Sequence, residues 1–263
     1  MTAVEITRPR AGTAPAPSTG DLVEVLDRFE PISLADLNAQ ARLMTRIDRK
    51  YFVPRDLFVD LLERTRADFR ALEIDGHHSF RYRTVYFDTP EFGFFRAHVQ
   101  GRRQRYKVRT RTYSESGDCL IEVKSKGYRG RTVKERIEHA GPAHLLDRPS
   151  REFVGRIVGS DAYRLEPVLE TVYDRLTLVR GDQRLTCDLD LHFLAGSDRR
   201  DGPNEVLVET KSGGERGIWD DLLMASGIRE HRVSKYCVSA ALLYPGLPAN
   251  PWRRTIRRYF GSR

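Results

Sequence analysis

Between residues 80 and 211 the chain alternates apolar and polar side chains at the two-residue period of half-buried strands. The alternation predicts strands over 46–53, 80–88, 104–113, 119–126, 131–138, 167–180, 184–194 and 205–211. Helical spacing predicts 34–44, opened by Ser33 with Asp36 three residues on, as in a capping box. A second helix starts with Pro54 at a first helical position and runs to about residue 69, with Leu57, Leu61 and Leu62 on its apolar side. Further helices are expected at 150–159, 217–226 and 233–243. Gly181-Asp182 sits between two alternating runs and reads as a hairpin turn. There is no internal repeat. The sum is an α+β chain, a single eight-stranded antiparallel barrel with helices packed outside. Residues 1–24 read as an Ala/Pro-rich disordered leader, 25–246 as the folded domain and 247–263 as an Arg-rich tail.

The polar faces of these strands are unusual. On 104–113, Arg105, Lys107, Arg109 and Arg111 share a face opposite Tyr106, Val108, Thr110 and Thr112. On 119–126, Glu122, Lys124 and Lys126 oppose Ile121 and Val123, and on 131–138, Lys134, Arg136 and Glu138 oppose Val133 and Ile137. Asp188, Asp190 and His192 oppose Leu185, Cys187, Leu189, Leu191 and Phe193. Glu209 and Lys211 oppose Val206 and Val208, and Tyr173 shares a face with Arg175. Two geometries fit. The charges face water around a small apolar barrel, or they line the inside of a wide one while the apolar faces pack outward on helices. Interior charge is costly unless paired or ligated. The mixture of signs tips the balance inward, because acids and bases pair when the site is empty and hold metal and phosphate when it is filled.

Composition narrows the function classes. The 263 residues carry 45 Lys plus Arg against 37 Asp plus Glu, a net charge of +8. An apolar fraction of 40% is too high for a disordered chain. No apolar run reaches membrane-spanning length, and no secretory h-region opens the chain. Cys119, Cys187 and Cys237 are odd in number and lack CxxC spacing, so they read as inert packing groups in a reducing cytosol. HExxH and GxSxG are absent. Residues 252–263 hold five Arg and no acid. That tail reads as a solvated end, a weak contact with an anionic membrane surface through Trp252, Ile256, Tyr259 and Phe260, or a contact with a polyanion. The expected location is cytoplasmic, free or peripheral to the inner face of the membrane. Specific nucleic-acid binding is disfavoured, because the basic strands carry acids on the same faces and their aromatic residues fall opposite.

Six segments in order carry a family resemblance: Arg46-Ile47-Asp48-Arg49-Lys50-Tyr51, Arg83-Thr84-Val85-Tyr86-Phe87-Asp88-Thr89, Lys107-Val108-Arg109-Thr110-Arg111, Ile121-Glu122-Val123-Lys124, Val208-Glu209-Thr210-Lys211 and Ser234-Lys235-Tyr236. Over roughly 28–245 the chain resembles the VTC domain, the catalytic module of vacuolar transporter chaperone polyphosphate polymerases, within the triphosphate tunnel metalloenzyme superfamily. The resemblance implies a charged tunnel of eight antiparallel strands. It also implies transfer of the ATP γ-phosphoryl to polyphosphate with Mn²⁺ or Mg²⁺. Lys50, Arg109, Arg111, Lys124 and Arg175 match the family's phosphate-contacting positions. Lys107, Lys134, Arg136, Lys211 and Lys235 are expected to bind substrate beside them. Glu209 matches the metal-holding acid, with Glu122, Asp188 and Asp190 as further candidates. Tunnel triphosphatases open with ExExK, whereas this chain has Arg46-x-Asp48-x-Lys50, which resembles the polymerase branch more than the hydrolase branch.

Other readings stay open: a tunnel hydrolase of triphosphate or polyphosphate, or a non-catalytic module binding polyphosphate or inositol phosphate. A tunnel open at both ends would let product leave as it grows, and export would need a separate membrane protein partner. Asp88 reads first as a turn acid and His192 as a polar lining residue with acid–base capacity. Trp219 and Met224 read as core.

Overall fold

The computed structural model describes residues 19–41, 47–126 and 132–261. Eight strands form one antiparallel path in the order β2 (Ile47–Val53), β11 (Val206–Ser212), β9 (Gln183–Ala195), β8 (Glu166–Arg180), β4 (Phe80–Asp88), β5 (Arg105–Tyr113), β6 (Cys119–Lys126) and β7 (Thr132–Glu138). Three short strands hang off it. β1 (Glu30–Ile32) pairs in parallel with β3 (Arg70–Leu72), β3 pairs with β8, and β10 (Asp198–Asp201) extends β9. The eight predicted strands are all present, with ends shifted by a residue or so. Arg46 and Arg131 lie outside the described residues.

The sheet is strongly curled. On a flat sheet the path β11-β9-β8-β4-β5-β6 would hold β11 and β6 about 24 Å apart. Yet burial lowers the Lys124 pKa on β6, and Glu209 of β11 and Asp48 of β2 are the charges that pull it back up. The concave face therefore closes on itself. Among the described residues no backbone pairing joins β7 to β2, so the barrel is open along that seam.

Apolar side chains lie on both sides of this wall. Outside β2, β11, β9 and β8, Tyr51, Val208, Cys187 and Leu176 pack with helices α1 (Thr19–Leu26), α3 (Arg55–Thr65) and α6 (Ile218–Ala225), around the fully buried Trp219. Outside β4, β5 and β6, Val85, Val108, Ile121 and Val123 pack against α5 (Arg148–Val158) through Phe153 and Val154. Burying side chains of this size stabilises the fold by about 1.5–3 kcal/mol each. The expectation of apolar faces turned outward onto helices holds on both flanks.

A third cluster sits on the concave side. Phe52, Leu207, Leu169 and Tyr86 share faces with Lys50, Glu209, Tyr173 and Thr84, but at the other end of their strands the lining is apolar. There α7 (Lys235–Leu243) and α8 (Arg253–Tyr259) cover it, with α4 (Gly93–Val99) contributing Phe95. The concave face is thus charged along most of its length and apolar at the end that α7 and α8 cover. Among the described residues polar lining reaches that end on β5, β6 and β7, where Arg105 pairs across to Lys126, Lys107 to Lys124 and Lys124 to Lys134.

Several local expectations change. The leader expected through residue 24 overlaps α1, whose Leu22, Val25 and Leu26 are buried against α3. Helix α2 spans Leu34–Ala41, residues 42–46 lie outside the described set, and Ser33 caps it as predicted, accepting from the Asp36 amide at 3.1 Å. Pro54 is the cap residue of α3 rather than its first turn, and the helix stops at Thr65. Met224 is 45% exposed, not core. The two-residue turn after β8 puts Gly181 at φ 52, as the hairpin reading required.

Candidate functional site

Alternation from Phe52 back to Lys50 and Asp48, and its equivalent on each neighbouring strand, points one charged set into the groove. β2 gives Asp48 and Lys50, β11 gives Glu209 and Lys211, β9 gives Thr186 and Asp188, and β8 gives Tyr173 and Arg175. From β5 come Lys107, Arg109 and Arg111, from β6 Glu122 and Lys124, and from β7 Lys134 and Arg136. Lys235 enters from the first turn of α7, behind Ser234, whose hydroxyl caps the helix.

Three carboxylates organise these cations. Asp188 is fully buried and takes a two-pronged grip from Arg175 at 2.6 and 2.9 Å, plus the Lys235 ammonium. Burial opposes its charge, but Arg175 and Lys235 hold its pKa down to about 2. Glu122 is equally buried and meets Arg109 at 2.7 Å, Arg111 at 4.0 Å and Lys134. Burial works against that charge too, and the three cations hold the carboxyl far below its usual range. Glu209 lies 3.1 Å from the Lys211 ammonium and 3.7 Å from Lys50. Its pKa also falls well below normal, despite burial, because of Lys211 and Lys50.

The lysines feel the opposite pull. Burial pushes Lys211 down to about 8, against the attraction of Glu209. Lys107 is pushed to about 8 by burial, helped by the neighbouring Lys124 and Lys50 charges. Such ammoniums gain from an incoming polyanion, which supplies the counter-charge the protein itself provides only in part.

Tyrosines fill the spaces between the cations. Tyr82 stacks on Tyr173 with centroids 5.5 Å apart, and the Arg111 and Arg175 guanidinium carbons lie 5.3 and 5.0 Å from the Tyr82 ring centre. Lys235 sits 4.5 Å from the Tyr173 ring centre and Arg109 6.0 Å from that of Tyr86. Burial alone would raise the Tyr173 phenol, but Arg111, Arg175 and Lys235 bring it below its usual value. These rings fix guanidinium planes that would otherwise rotate. Sequence reading singled out Tyr173 but not Tyr82 or Tyr86. The signal was there in the 80–88 strand, where Tyr82, Thr84 and Tyr86 alternate in register with Tyr113, Arg111 and Arg109.

Two expected site residues leave the groove. Between Val172 and Asp174 of β8 the register to β9 shifts by one residue, and Asp190 adopts φ 49. The extra residue on β9 exchanges its faces from there on. Asp190 turns outward and pairs with Arg55, while His192 bonds Asp201 at 2.7 Å beside Arg199 at the β9–β10 edge. Leu191 and Phe193 take their place on the concave side. Gly202 stands where this crossing is tightest: its amide meets the Leu191 carbonyl at 2.6 Å, and a Cβ there would fall 2.6 Å from that of Leu191. Arg136, on the edge strand β7, is exposed.

The acids do not gather into one metal centre. Among the described residues no three His, Cys, Asp or Glu side chains cluster with metal-ligand geometry. Asp188 and Glu122 are each enclosed by cations, which suits them to orienting bases rather than holding a metal. Glu209 fits a divalent ion better. Its partners are lysines at longer range, its side chain is 18% exposed, and Asp48 is its diagonal neighbour, since Glu209 faces Lys50 and Lys211 faces Asp48 across the β11–β2 pair. One or two carboxylates are what Mg²⁺ or Mn²⁺ asks of a protein. Asp88, expected as a turn acid, is one. Fully buried, it accepts from the amides of Thr89, Phe94 and Phe95 and from the Tyr236 hydroxyl, tying α4 to α7.

The curled sheet has solved counterparts. A putative adenylate cyclase from Bacillus halodurans superposes with a TM-score of 0.50 at 13% identity, over 76% of this chain and 98% of that one. A putative adenylyl cyclase from Hippeastrum, described as having a dominant triphosphatase activity, gives 0.47 at 18% identity, over 78% and 98%. A putative adenylate cyclase from Vibrio parahaemolyticus gives 0.44 at 16% identity, over 75% and 99%. No curated protein matches the sequence. The VTC domain model matches residues 45–244, from the strand that opens the charged groove to the helix that covers its apolar end, and the chain belongs to the VTC domain family.

Proposed function

We propose that this chain is a polyphosphate polymerase-type phosphotransferase that binds the triphosphate of ATP in its groove and passes the γ-phosphoryl to a polyphosphate chain. The observation that carries the reading is the convergence of Arg109, Arg111, Arg175, Lys50, Lys124 and Lys211, with Lys134 and Lys235, on one concave face, against three carboxylates that each hold two or three of these cations.

Phosphoryl transfer asks for position and charge neutralisation more than for a covalent nucleophile. The arginines suit two-pronged contacts with phosphate oxygens, and the lysines act as point charges. Asp188 and Glu122 keep the guanidinium groups of Arg175 and Arg109 aimed before substrate arrives. Lys235 joins the Asp188 pair from α7, and Lys134 joins Glu122 from β7, so both are placed to follow the substrate's charge. Glu209, with Asp48 beside it, presents the oxygens that Mn²⁺ or Mg²⁺ takes, and such an ion neutralises phosphate charge when bound. The acceptor is a terminal phosphate oxygen, already anionic, so no general base is required. His192, the one histidine expected near the groove, faces away from it.

Incubating the purified chain with ATP and Mn²⁺, then assaying long-chain polyphosphate and free phosphate, tests the proposal. Polymer supports it. Free phosphate alone replaces it with a hydrolase, and binding without either product replaces it with a sensor.

A further inference from the structure

The C-terminal tail was notable in sequence for five Arg without an acid, and the tunnel chemistry leaves it unexplained. Its apolar side is fully engaged in the fold. Trp252 and Ile256 are buried in the cluster that covers the groove's apolar end. Tyr259 stacks on Phe52 with centroids 4.2 Å apart, and Phe260 lies against Phe193 at 5.9 Å. The other side of α8 shows Arg253, Arg254, Arg257 and Arg258 to solvent.

A second basic segment meets this face. The 228–233 loop carries Arg229 and Arg232, both exposed. It is fixed to α8 by a 3.1 Å hydrogen bond between the Tyr259 hydroxyl and His231 Nε2. It is fixed to the barrel by the His231 amide, which donates to the Lys50 carbonyl at 2.7 Å and so covers the outer edge of β2. Lys50 itself points into the groove toward Glu209. The loop that carries Arg229 and Arg232 thus meets the backbone of a groove-lining residue, on the strand that borders the open seam.

Some arginines elsewhere on the surface find acids, Arg81 with Asp174, Arg83 with Glu170, Arg148 with Glu152 and Arg164 with Glu91, while exposed Arg102, Arg103, Arg200 and Arg216 stand singly or in pairs rather than in a group of six. Among the described residues none of the six arginines of this patch makes an ion pair, although Glu230 lies in the same loop and Glu205 acts on Tyr259. Unmatched, clustered positive charge stores repulsion that a multivalent anion relieves. The kind of anion follows from what the patch lacks. With Trp252, Ile256, Tyr259 and Phe260 turned inward, the patch shows no apolar face to enter a bilayer among the described residues. With the same rings covered, no aromatic platform is left for nucleobases.

We propose that the exposed arginines of α8 and of the 228–233 loop form a docking site, outside the tunnel, for a chain of inorganic polyphosphate. The inference rests on the polyphosphate reading of the groove for its choice of polyanion. A chain held there at one point and in the groove at another is bound in two places at once, which raises its effective concentration at the groove.

The test compares long-chain polyphosphate with tripolyphosphate as probes of the full chain. One variant combines Arg254→Ala, Arg257→Ala and Arg258→Ala, and a second combines Arg229→Ala and Arg232→Ala. Each should weaken long-chain binding about tenfold or more at low salt and flatten its salt dependence, as loss of phosphate contacts does for other polyanions. Tripolyphosphate binding and the melting temperature should stay as in the wild type. Unchanged long-chain affinity in both variants overturns the proposal. So does patch-dependent binding to phosphatidylserine vesicles without patch-dependent binding of polyphosphate, which would assign the surface to a membrane. If the variants lose long-chain binding while the wild type makes no polymer from ATP, docking stands and the polymerase reading falls.

Discussion

Arg175 holds Asp188 through two parallel hydrogen bonds of 2.6 and 2.9 Å, and the Asp188 side chain is completely buried between that guanidinium and Lys235. Removing the carboxylate leaves two cations facing each other in a site 13–14% exposed. Asp188→Ala should destabilise the chain by about 3 kcal/mol in urea unfolding, because an uncompensated buried charge is the costly outcome. Saturating tripolyphosphate should restore part of that loss, so the variant's melting temperature should rise more with ligand than the wild type's. An equal rise in both would show that Arg175 and Lys235 do not meet phosphate.

Burial pushes the Lys107 and Lys211 ammoniums down to about 8. An unfolded lysine titrates near 10.4, so between about pH 8 and 10 the unfolded chain binds more protons, and these two groups make stability rise with pH. Binding behaves oppositely. A polyanion favours the charged form, so tripolyphosphate affinity should fall as pH rises from 7 to 9. Binding near pH 8 should take up protons, measurable by calorimetry in buffers of different ionisation enthalpy. Zero net proton uptake there would contradict the placement of these ammoniums beside the phosphates.

The acids set the other limit. Asp188 is held down to about 2, and Glu122 and Glu209 also lie below the carboxylate range. Groups with depressed folded values contribute stability above their unfolded pKa and lose it as pH falls. Acid unfolding should therefore steepen below about pH 4. Replacing Glu122 with Gln should flatten that slope in an equilibrium denaturation series.

Glu209→Gln should weaken Mn²⁺ binding in the presence of tripolyphosphate by tenfold or more, read by calorimetry, while Glu122→Gln leaves Mn²⁺ affinity near wild type. The reverse ranking would move the metal to the Arg109 side of the groove.

Much of the site was legible because strand alternation is rigid. The sequence puts 105, 107, 109 and 111 on one face and 122 and 124 on another, and the register of the folded sheet then sets Glu122 opposite Arg109 and Lys124 opposite Lys107. The sign of the curvature was not legible, because one polar face per strand suits an inside-out barrel and an ordinary one equally well. Resemblance to the VTC domain resolved what periodicity left open. The reading failed at Asp190, where a bulge of one residue sends the rest of β9 to the other face, and a bulge without glycine leaves no compositional mark. The apolar end of the groove carried no sequence signal of its own. Phe52 and Leu207 lie in phase with Lys50 and Glu209, and nothing in the local pattern says that α7 and α8 return to cover them. The tail is amphipathic, as its sequence suggests, but its aromatic side faces the protein's own core.

On the proposed function, the curled sheet keeps its charges inside to hold phosphate. Titrating tripolyphosphate into the wild type and into Arg109→Gln and Arg175→Gln tests it most directly. A phosphate-binding groove predicts tight, salt-sensitive binding to the wild type and a loss of about tenfold to a hundredfold in each variant, consistent with about 1.5–3 kcal/mol for a hydrogen bond to a charged group. Equal affinity in all three proteins would contradict it.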